Sequence, residues 1–352
     1  MKKEKFSLIE KLCKADGISG FEEEIREIMK KELKKSCDDV IVDSFGNVIG
    51  RKGKGKLKIM LAAHMDEVGL MVKHISKEGF VNFVKIGGID DRLLLGKEVI
   101  IKNRKGDVFG VIGSKSPHLQ KKEEVEKVIK HDEMFIDIGA KNEKDARKKI
   151  SVGDPILFPK KFGKLSKNLF YSKAVDDRIG CYILLKVMEK IPKNIDMEIY
   201  GVGTTQEEVG LKGARVSAFR INPDYGFAID TTIAGDTPQI KESESSLKLG
   251  KGPAITITEA SGRGVITHPK IRNLLIKIAK KYKIPYQEDI LEGGMTDGAI
   301  IYLTREGIPT GVVSVPCRYI HSPLGVFNID DVNNAIKLLV KAIINFKNNI
   351  KI

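Results

Sequence analysis

Strands and helices alternate in the second half of this chain, which strongly limits the folds open to it. From about residue 165 onward, the predicted elements are a helix at 176–190, strands at 197–203 and 225–230, a helix at 269–283, a strand at 309–315 and a helix at 330–347. Such alternation predicts a parallel or mixed sheet with helices packed on both faces. The predicted fold class is therefore α/β.

Residues 1–66 continue the same pattern. Four apolar residues near the start fall at helical spacing: Phe6, Ile9, Leu12 and Cys13. This spacing predicts an amphipathic first helix, which a second helix and a strand around Val40–Asp43 follow. The glycine-rich run RKGKGKLK then predicts a hairpin that leads into the strand LKIMLAA.

The middle of the chain has a different character. The predicted strands there are GLMVKHI, GFVNFVKI, EVIIKN, DVFGVIG, MFIDIG and DPILF. Short strands separated by glycine-rich turns predict a small barrel or sandwich, and the charged stretch 119–133 is predicted to be a mobile loop within it. We therefore predict a discontinuous α/β domain, residues 1–66 and 165–352, and an inserted β-rich domain, residues 67–164.

The net charge of +14 raises the question of nucleic-acid binding. The lysines are interleaved with glutamates, however, as in KKEEVEKVIK, and aromatic residues make up only 6% of the chain. This pattern favours a solvated surface rich in ion pairs, and we predict no nucleic-acid partner.

Apolar runs and cysteines bear on the cellular location. No run approaches the roughly 20 apolar residues of a membrane span, and charges interrupt the N-terminal segment before the core of a signal peptide could form. The four cysteines lie far apart and form no CxxC pair. We predict a cytoplasmic protein with buried thiols and no membrane partner.

Candidate metal ligands follow the predicted strands or open a helix. They are His64 and Asp66, Asp176 and Asp177, Glu207 and Glu208, Asp230, and His321. In open α/β sheets the loops beyond the carboxyl ends of the strands form one crevice, where ligands bind. Mixed histidine and carboxylate ligation suits zinc, cobalt or manganese better than calcium or magnesium.

The adjacent pair Glu207 and Glu208 fits this interpretation. Neighbouring carboxylates repel each other, and a metal ion between them would relieve the repulsion. One glutamate would then bind the metal, and the other would act as general base on a bound water.

Each of these residues also has a purely structural interpretation. The glutamate pair could be a solvated surface turn, and His64 or His321 could pack at the end of a strand. Asp176 and Asp177 could cap a helix, which the helix dipole favours, and Asp230 could start a turn. Five such segments converge at one end of the predicted sheet, and this coincidence favours a metal site.

The motifs that carry these residues resemble those of a known family. The matching segments are AAHMDEVG, AVDDRIG, TTQEEVGLKGA, AIDTTIAGDTP and RYIHSP, joined by IGGID, GVIGSKSPH and DIGA in the middle of the chain. They are similar to the M42 metallo-aminopeptidases, which are relatives of the TET peptidases and deblocking aminopeptidases and include members labelled as endoglucanases.

The resemblance implies a site with two divalent metal ions, zinc or cobalt. Asp176 would bridge both ions, His64 and Asp230 would complete one coordination sphere, and Glu208 and His321 would complete the other. Glu207 would be the general base, and Asp66 would orient His64.

The resemblance also implies an architecture and partners. The fold would be a phosphopeptidase/aminopeptidase-like mixed sheet sandwiched by helices, with an inserted PDZ-like β domain used for dimerisation. The substrates would be peptides with a free N-terminus. Six dimers would assemble into a hollow tetrahedral dodecamer, or the protein would remain a dimer.

The chain departs from the family pattern at two places. GGMTDGAI (293–300) stands where GGTDAxAI is usual, so Thr296 and Asp297, the expected residues of the substrate pocket, are displaced by one position. Gly325 stands where relatives usually carry glutamate. No expected metal ligand is missing, so we expect activity with altered specificity.

The function predicted from the sequence is hydrolysis of N-terminal residues from peptides. One alternative is a metal-independent glycosidase, which would need two carboxyl groups across the scissile bond. The other is a non-catalytic scaffold with the same fold, which the complete ligand set argues against.

Overall fold

The strands of the protein form two separate sheets. The computed structural model describes residues 2–260, 263–347 and 349–350. Within them the helices are α1 (Lys2–Lys14), α2 (Glu23–Leu33), α3 (Lys122–Val125), α4 (Glu143–Lys149), α5 (Val175–Lys190), α6 (Lys212–Ile221), α7 (Pro269–Lys281), α8 (Gly298–Ile301) and α9 (Ile329–Ile344). The strands are β1 (Asp39–Val42), β2 (Val48–Lys52), β3 (Lys58–His64), β4 (Gly69–Ile75), β5 (Val81–Ile86), β6 (Glu98–Asn103), β7 (Gly106–Gly113), β8 (Phe135–Asp137), β9 (Pro155–Leu157), β10 (Phe162–Lys164), β11 (Leu169–Ser172), β12 (Glu198–Thr204), β13 (Tyr225–Ile233), β14 (Ala254–Glu259), β15 (Gln287–Leu291), β16 (Thr310–Arg318) and β17 (Gly325–Asn328).

The larger sheet is mixed and has a parallel centre. Its order is β1-β2-β12-β3-β13-β16-β17-β11-β10, with β14 pairing with β16 and β15 pairing with β14. The central strands β12, β3, β13 and β16 run parallel to one another. Nearly every residue of β3 and β16 is buried, as expected for strands covered on both faces.

Helices cover both faces of this sheet, which confirms the predicted mixed α/β fold. Ile59 and Leu61 of β3 pack into the core that contains α1, α2, α5, α7 and α9. Met60 and Ala62 point to the other face, where α6 and α8 lie. The alternation of side chains along a strand thus divides the core into two layers.

The smaller sheet closes into a barrel. Among the described residues its strand order is β4-β5-β8-β7-β6-β9, and β9 pairs back with β4. Its core is a separate apolar cluster that includes Val72, Phe83 and Ile101. The predicted strands of this region are all present, whereas its likeness to a PDZ domain stays a prediction.

One detail of the predicted order is wrong. β2 and β3 do not form a hairpin, because β12 lies between them and pairs with both. β2 pairs instead with β1. β10, which falls inside the predicted segment 67–164, pairs with β11 in the larger sheet. The division into domains stays a prediction, with this strand on the other side of the proposed boundary.

Local extents also differ from the prediction. The stretch 119–133 contains the short helix α3 and a 3₁₀ turn at His131–Glu133. β13 and β16 run past the predicted ends at residues 230 and 315, because they pair with each other as far as Ile233 and Cys317. Asp230 therefore lies within a strand, not at its end.

The amphipathic first helix is present as predicted. Ile9, Leu12 and Cys13 are buried, and the side chain of Phe6 lies outside the described residues. Cys181 and Cys317 are buried as well. Cys37 is partly exposed, so the prediction of a buried thiol is wrong for this residue.

No helix in the described part of the chain has both the length and the apolar character of a membrane span.

A buried ion cluster joins the segment after β3 to the segment before α5. Lys173 Nζ lies 2.5 and 2.7 Å from the two carboxylate oxygens of Glu67, and Arg178 Nη2 lies 3.2 Å from Glu67 Oε1. All three side chains are at most 5% exposed. Burial lowers the pKa of Lys173, and the Glu67 carboxylate opposes this effect.

The cluster fixes two segments that carry candidate site residues. Glu67 lies three residues after His64, and Lys173 lies three residues before Asp176. Arg178 also donates hydrogen bonds of 2.8 Å to the Leu12 and Ala15 carbonyl oxygens at the end of α1. One set of charges thus links three parts of the chain.

We predict that Glu67→Gln destabilises the fold strongly. Removing one partner leaves buried charges uncompensated, which typically costs about 3–5 kcal/mol. Urea denaturation should show this loss in the free energy of unfolding. The control is Glu189→Gln, which breaks an exposed pair with Lys186 (2.6 Å) and should cost less than about 1 kcal/mol. Equal, small effects of the two substitutions would contradict the structural role of the cluster.

Candidate active site

The parallel strands bring the candidate ligands to one edge of the larger sheet. β3 ends at His64, and β12 ends at Thr204, three residues before Glu207, which Glu208 follows. β13 carries Asp230, and His321 follows β16. Because these strands are parallel neighbours, their carboxyl ends meet at the same place.

The start of α5 supplies the remaining acids. Asp176 and Asp177 have non-helical backbone angles, with ψ of 113° and 43°. They therefore stand at the entrance of the helix and not in a regular first turn. We call His64, Asp176, Asp177, Glu207, Glu208, Asp230 and His321 the acid–histidine cluster.

Asp176 lies between the two histidines. Its Oδ1 is 3.1 Å from His64 Nε2, and its Oδ2 is 3.4 Å from His321 Nε2. Each oxygen of the carboxylate thus faces a different imidazole. This is the arrangement that a carboxylate bridging two cations would need.

Each histidine has further acids beside it. Asp230 Oδ1 lies 3.8 Å and Glu207 Oε2 lies 3.9 Å from His64 Nε2. On the other side, Glu208 Oε2 lies 3.5 Å from His321 Nε2. The adjacent glutamates therefore point to different halves of the cluster.

Asp66 holds the turn that separates the two glutamates. Its side-chain oxygens accept hydrogen bonds from the backbone N–H groups of Glu207 (3.0 Å) and Glu208 (3.1 Å) and from the Ser19 hydroxyl (2.6 Å). The same side chain lies 3.5 Å from His64 Nδ1. One fully buried carboxylate thus positions both glutamates and a histidine.

Backbone carbonyl groups set the tautomers of the two histidines. His64 Nδ1–H donates to the Asp66 carbonyl oxygen at 3.1 Å, and His321 Nδ1–H donates to the Gly88 carbonyl oxygen at 3.0 Å. The Nε2 atom of each ring then faces the acids, and a neutral imidazole would offer its lone pair there to a bound metal ion.

The contact of Gly88 with His321 was not predicted from the sequence. Gly88 belongs to the loop after β5 of the barrel, and an added Cβ there would lie 3.1 Å from His321 Nδ1. Its neighbour Gly87 has φ of +81° and packs against Glu208. The Gly-Gly pair in IGGID was the available signal, because paired glycines often mark a close approach of the backbone.

Burial and mutual repulsion dominate the electrostatics of the cluster. Burial raises the pKa of Glu207 well above its ordinary value, and Asp230 raises it further. Burial and Asp176 raise the pKa of Glu208 to about 8. Burial would also raise the pKa of Asp176, but hydrogen bonds from His321 and His64 outweigh it and lower the pKa.

Asp177 is more than a helix-capping residue. It is fully buried, and burial together with Asp230 raises its pKa well above the ordinary value. Its Oδ1 accepts a hydrogen bond of 2.9 Å from the N–H of Gly180. Among the described residues its Oδ2 has no hydrogen-bond partner, and one of its carboxylate oxygens lies within 4.8 Å of ligand atoms of His64 and Asp230.

These residues fit bound metal ions. Ligand atoms of His64, Asp177 and Asp230 lie within 4.8 Å of one another, and so do those of His64, Asp176 and Glu208. Glu208 Oε1 is buried without a hydrogen-bond partner in the described part of the chain. Nitrogen and oxygen donors around excess negative charge suit divalent ions of the zinc or cobalt type.

The two predicted pocket residues occupy different environments. Thr296 lines a cavity of about 680 Å³ that opens from the acid–histidine cluster. Asp297 is buried outside the cavity lining and accepts a hydrogen bond of 2.5 Å from the Thr204 hydroxyl. The unusual Gly325 opens β17, where an added Cβ would lie 3.0 Å from Val175, next to Asp176.

Comparisons with known proteins find similar sequences and structures. The sequence profile of M42 glutamyl aminopeptidases matches residues 46–338. The lysyl aminopeptidase of Pyrococcus furiosus is 36% identical over 338 residues, which cover 95% of this chain and 95% of its own.

Solved structures of similar proteins have the same fold. An aminopeptidase of Desulfurococcus kamchatkensis has a TM-score of 0.93 at 41% identity, covering 100% of this chain and 99% of its own. The Pyrococcus horikoshii TET1 peptidase is described as assembling into a tetrahedron or a large octahedral shell. It has a TM-score of 0.86 at 35% identity, covering 96% of this chain and 98% of its own. A Thermotoga maritima protein described as an endoglucanase has a TM-score of 0.77 at 31% identity, covering 96% of this chain and 98% of its own.

The profile covers most of the chain, and the relatives exceed 30% identity over almost their full length. The chain therefore belongs to the M42 family of aminopeptidases.

Proposed function

We propose that the protein removes N-terminal residues from peptides with the help of two divalent metal ions, zinc or cobalt. The observation that carries this proposal is the position of Asp176, whose two carboxylate oxygens face His64 and His321 at 3.1 and 3.4 Å. Asp176 would bridge the two ions. His64 and Asp230 would hold one of them, and Glu208 and His321 the other.

The ions, when bound, would supply Lewis-acid activation of a water molecule and of the scissile carbonyl group. Glu207 is the proton carrier in this proposal. Its Oε2 would take the proton of the attacking water and deliver it to the departing amine. The side chain is 9% exposed and lines the cavity, so it meets both the cluster and the substrate.

Other residues hold these groups in place. Asp66 orients His64 and keeps Glu207 and Glu208 apart through their backbone N–H groups. The free α-amine of the substrate would find a negative partner in the surrounding carboxylates. A substrate without a free amine lacks this contact, which favours removal of terminal residues over internal cleavage.

We further propose that the barrel is a PDZ-like dimerisation domain and that the dimers form a tetrahedral dodecamer in the cytoplasm. Large apolar side chains on its surface support an interface there, since Phe109 is 70% exposed and Val111 is 50% exposed. The description of the P. horikoshii relative as a tetrahedral shell supports the assembly. The mass of the particle in solution tests it.

We predict that Glu207→Gln keeps its metal but loses most of its turnover. The amide has nearly the same shape but cannot carry the proton, and loss of a general base typically costs about 10²–10⁴-fold in rate. The kcat on an aminoacyl anilide and the metal content from elemental analysis should be measured together. Near-normal turnover with full metal content would refute the role of Glu207. Glu208→Gln is the matched comparison, because it should instead lose metal.

We predict that Asp176→Asn lowers the content of both ions together. A neutral amide cannot bridge two cations as a carboxylate does, so both coordination spheres lose a charged ligand. Elemental analysis of the purified variant provides the measurement. Asp230→Asn is the control and should preferentially lose one ion. Loss of a single ion from Asp176→Asn would contradict the bridging role.

A glycosidase is the second candidate, because a similar structure is described as an endoglucanase. Glycoside hydrolysis needs two carboxyl groups and no metal. We predict that removal of metal with a chelator abolishes peptide hydrolysis and that added zinc or cobalt restores it. Cellulose hydrolysis that survives the chelator would favour the glycosidase. A protein that is inactive on both substrates after metal is restored would be a scaffold.

A further inference from the structure

The cavity extends beyond the acid–histidine cluster and contains a second group of acids. Besides the cluster, its lining includes Glu259, Glu244 and Glu292. Neither lysine nor arginine is among the described residues that line it. The cavity lining thus carries negative charge that the proposed metal ligands do not account for.

Glu259 is the buried member of this group. It ends β14, and its residue is 2% exposed. Its Oε2 accepts a hydrogen bond of 3.0 Å from the Val265 N–H. Its Oε1 has no hydrogen-bond partner among the described residues, and neither does the Thr296 hydroxyl, which lines the same cavity. A buried carboxylate oxygen is therefore available to a ligand.

A second buried acid lies near Glu259, and burial disfavours the ionised form of both. Burial raises the pKa of Glu259, with the Val265 amide and Thr296 opposing the shift. Asp289 on the neighbouring strand β15 is 5% exposed and accepts a hydrogen bond of 3.0 Å from the Thr232 hydroxyl. Burial and the nearby Glu259 raise the pKa of Asp289 to about 6. A cation would offset the negative charge of both carboxylates when they are ionised.

The wall of the cavity is partly apolar. Ile233, Leu291 and Met295 line the cavity together with the acids. An apolar wall that leads to a carboxylate suits a side chain with a hydrocarbon stem and a charged tip, as in lysine and arginine.

We propose that Glu259 is a specificity-determining residue that selects substrates whose N-terminal residue is lysine or arginine. This inference rests on the proposed function, because it assumes that the scissile bond lies at the acid–histidine cluster. The side chain of the first residue then extends along the apolar wall, and its cationic tip pairs with Glu259 Oε1. Glu244 and Glu292, which are exposed, attract the cation at the mouth of the cavity.

The same geometry disfavours other first residues. A leucine side chain would leave the buried carboxylate without a partner, and an unpaired buried polar group lowers the affinity of a complex. A glutamate side chain would meet carboxylates on several sides and be repelled.

The first test compares lysine with norleucine, which has the same four-carbon stem but no ammonium group. With the metal-loaded wild-type protein, the kcat/KM for lysyl anilide should exceed that for norleucyl anilide by about ten- to hundredfold, the range for a hydrogen bond to a charged group. Arginyl anilide should behave like lysyl anilide, and glutamyl anilide should be the poorest. A norleucine value equal to or above the lysine value overturns the proposal.

Glu259→Gln is the second test. It should lower kcat/KM for lysyl anilide about tenfold and change that for norleucyl anilide little, whereas Glu288→Gln should leave the ratio unchanged. Glu288 is the matched control because it is exposed, lies on β15 and does not line the cavity. Equal losses on both substrates would instead assign Glu259 to the α-amine, and this outcome overturns the proposal.

Binding separates this inference from the proposed function. Calorimetric titration with L-lysinamide and L-norleucinamide requires no turnover. Tighter binding of lysinamide that Glu259→Gln abolishes supports the cation site even if no peptide is hydrolysed. Equal binding of the two amides overturns it even if the protein is an active aminopeptidase. Thermal unfolding of the Glu259→Gln variant establishes that it is folded. The comparison of the two amides on the wild-type protein does not depend on the variant.

Discussion

Negative charge concentrated at a buried edge of the large sheet is the constraint on which the rest of the structure depends. Asp176, Asp177, Glu207, Glu208 and Asp230 all lie within the cluster, and in the described part of the chain the imidazoles beside them are those of His64 and His321. Burial raises the pKa values of most of these carboxyl groups because ionised groups lose their hydration there. Divalent cations are the natural counter-charge for such a site, and among the described residues one buried oxygen each of Asp177 and Glu208 has no hydrogen-bond partner.

The residues that position the candidate metal ligands are different from the ligands themselves. Asp66 carries no metal in our proposal, yet its two oxygens fix the turn between Glu207 and Glu208. Glu67 directly follows Asp66 in the sequence, and its ion pair with Lys173 joins the segment after β3 to the segment before α5. Side chains outside the proposed ligand set thus hold the candidate ligands in place by hydrogen bonds and ion pairs.

The sequence predicted this edge well because its signals are local. A histidine or acid directly after an apolar strand indicates where the strand ends, and parallel strands bring such ends together, as they do for His64 and His321. Pairings between distant segments left no local signal. The predicted hairpin of β2 with β3 was wrong because β12, about 150 residues away in sequence, inserts between them. The contact of Gly88 with His321 and the placement of Glu259 depend on long-range packing in the same way.

The two acidic regions of the cavity differ in a way that matters for their ligands. In the acid–histidine cluster, several carboxylates surround two imidazoles, and the donors are numerous enough for ions of charge two. At Glu259 a single free oxygen lies near apolar walls, with Asp289 behind it and no histidine among the residues that perturb its pKa. One oxygen offers too few donors for a divalent ion but suits a single ammonium or guanidinium group. Under our two proposals, one group of acids in the cavity holds metal and another recognises a substrate side chain.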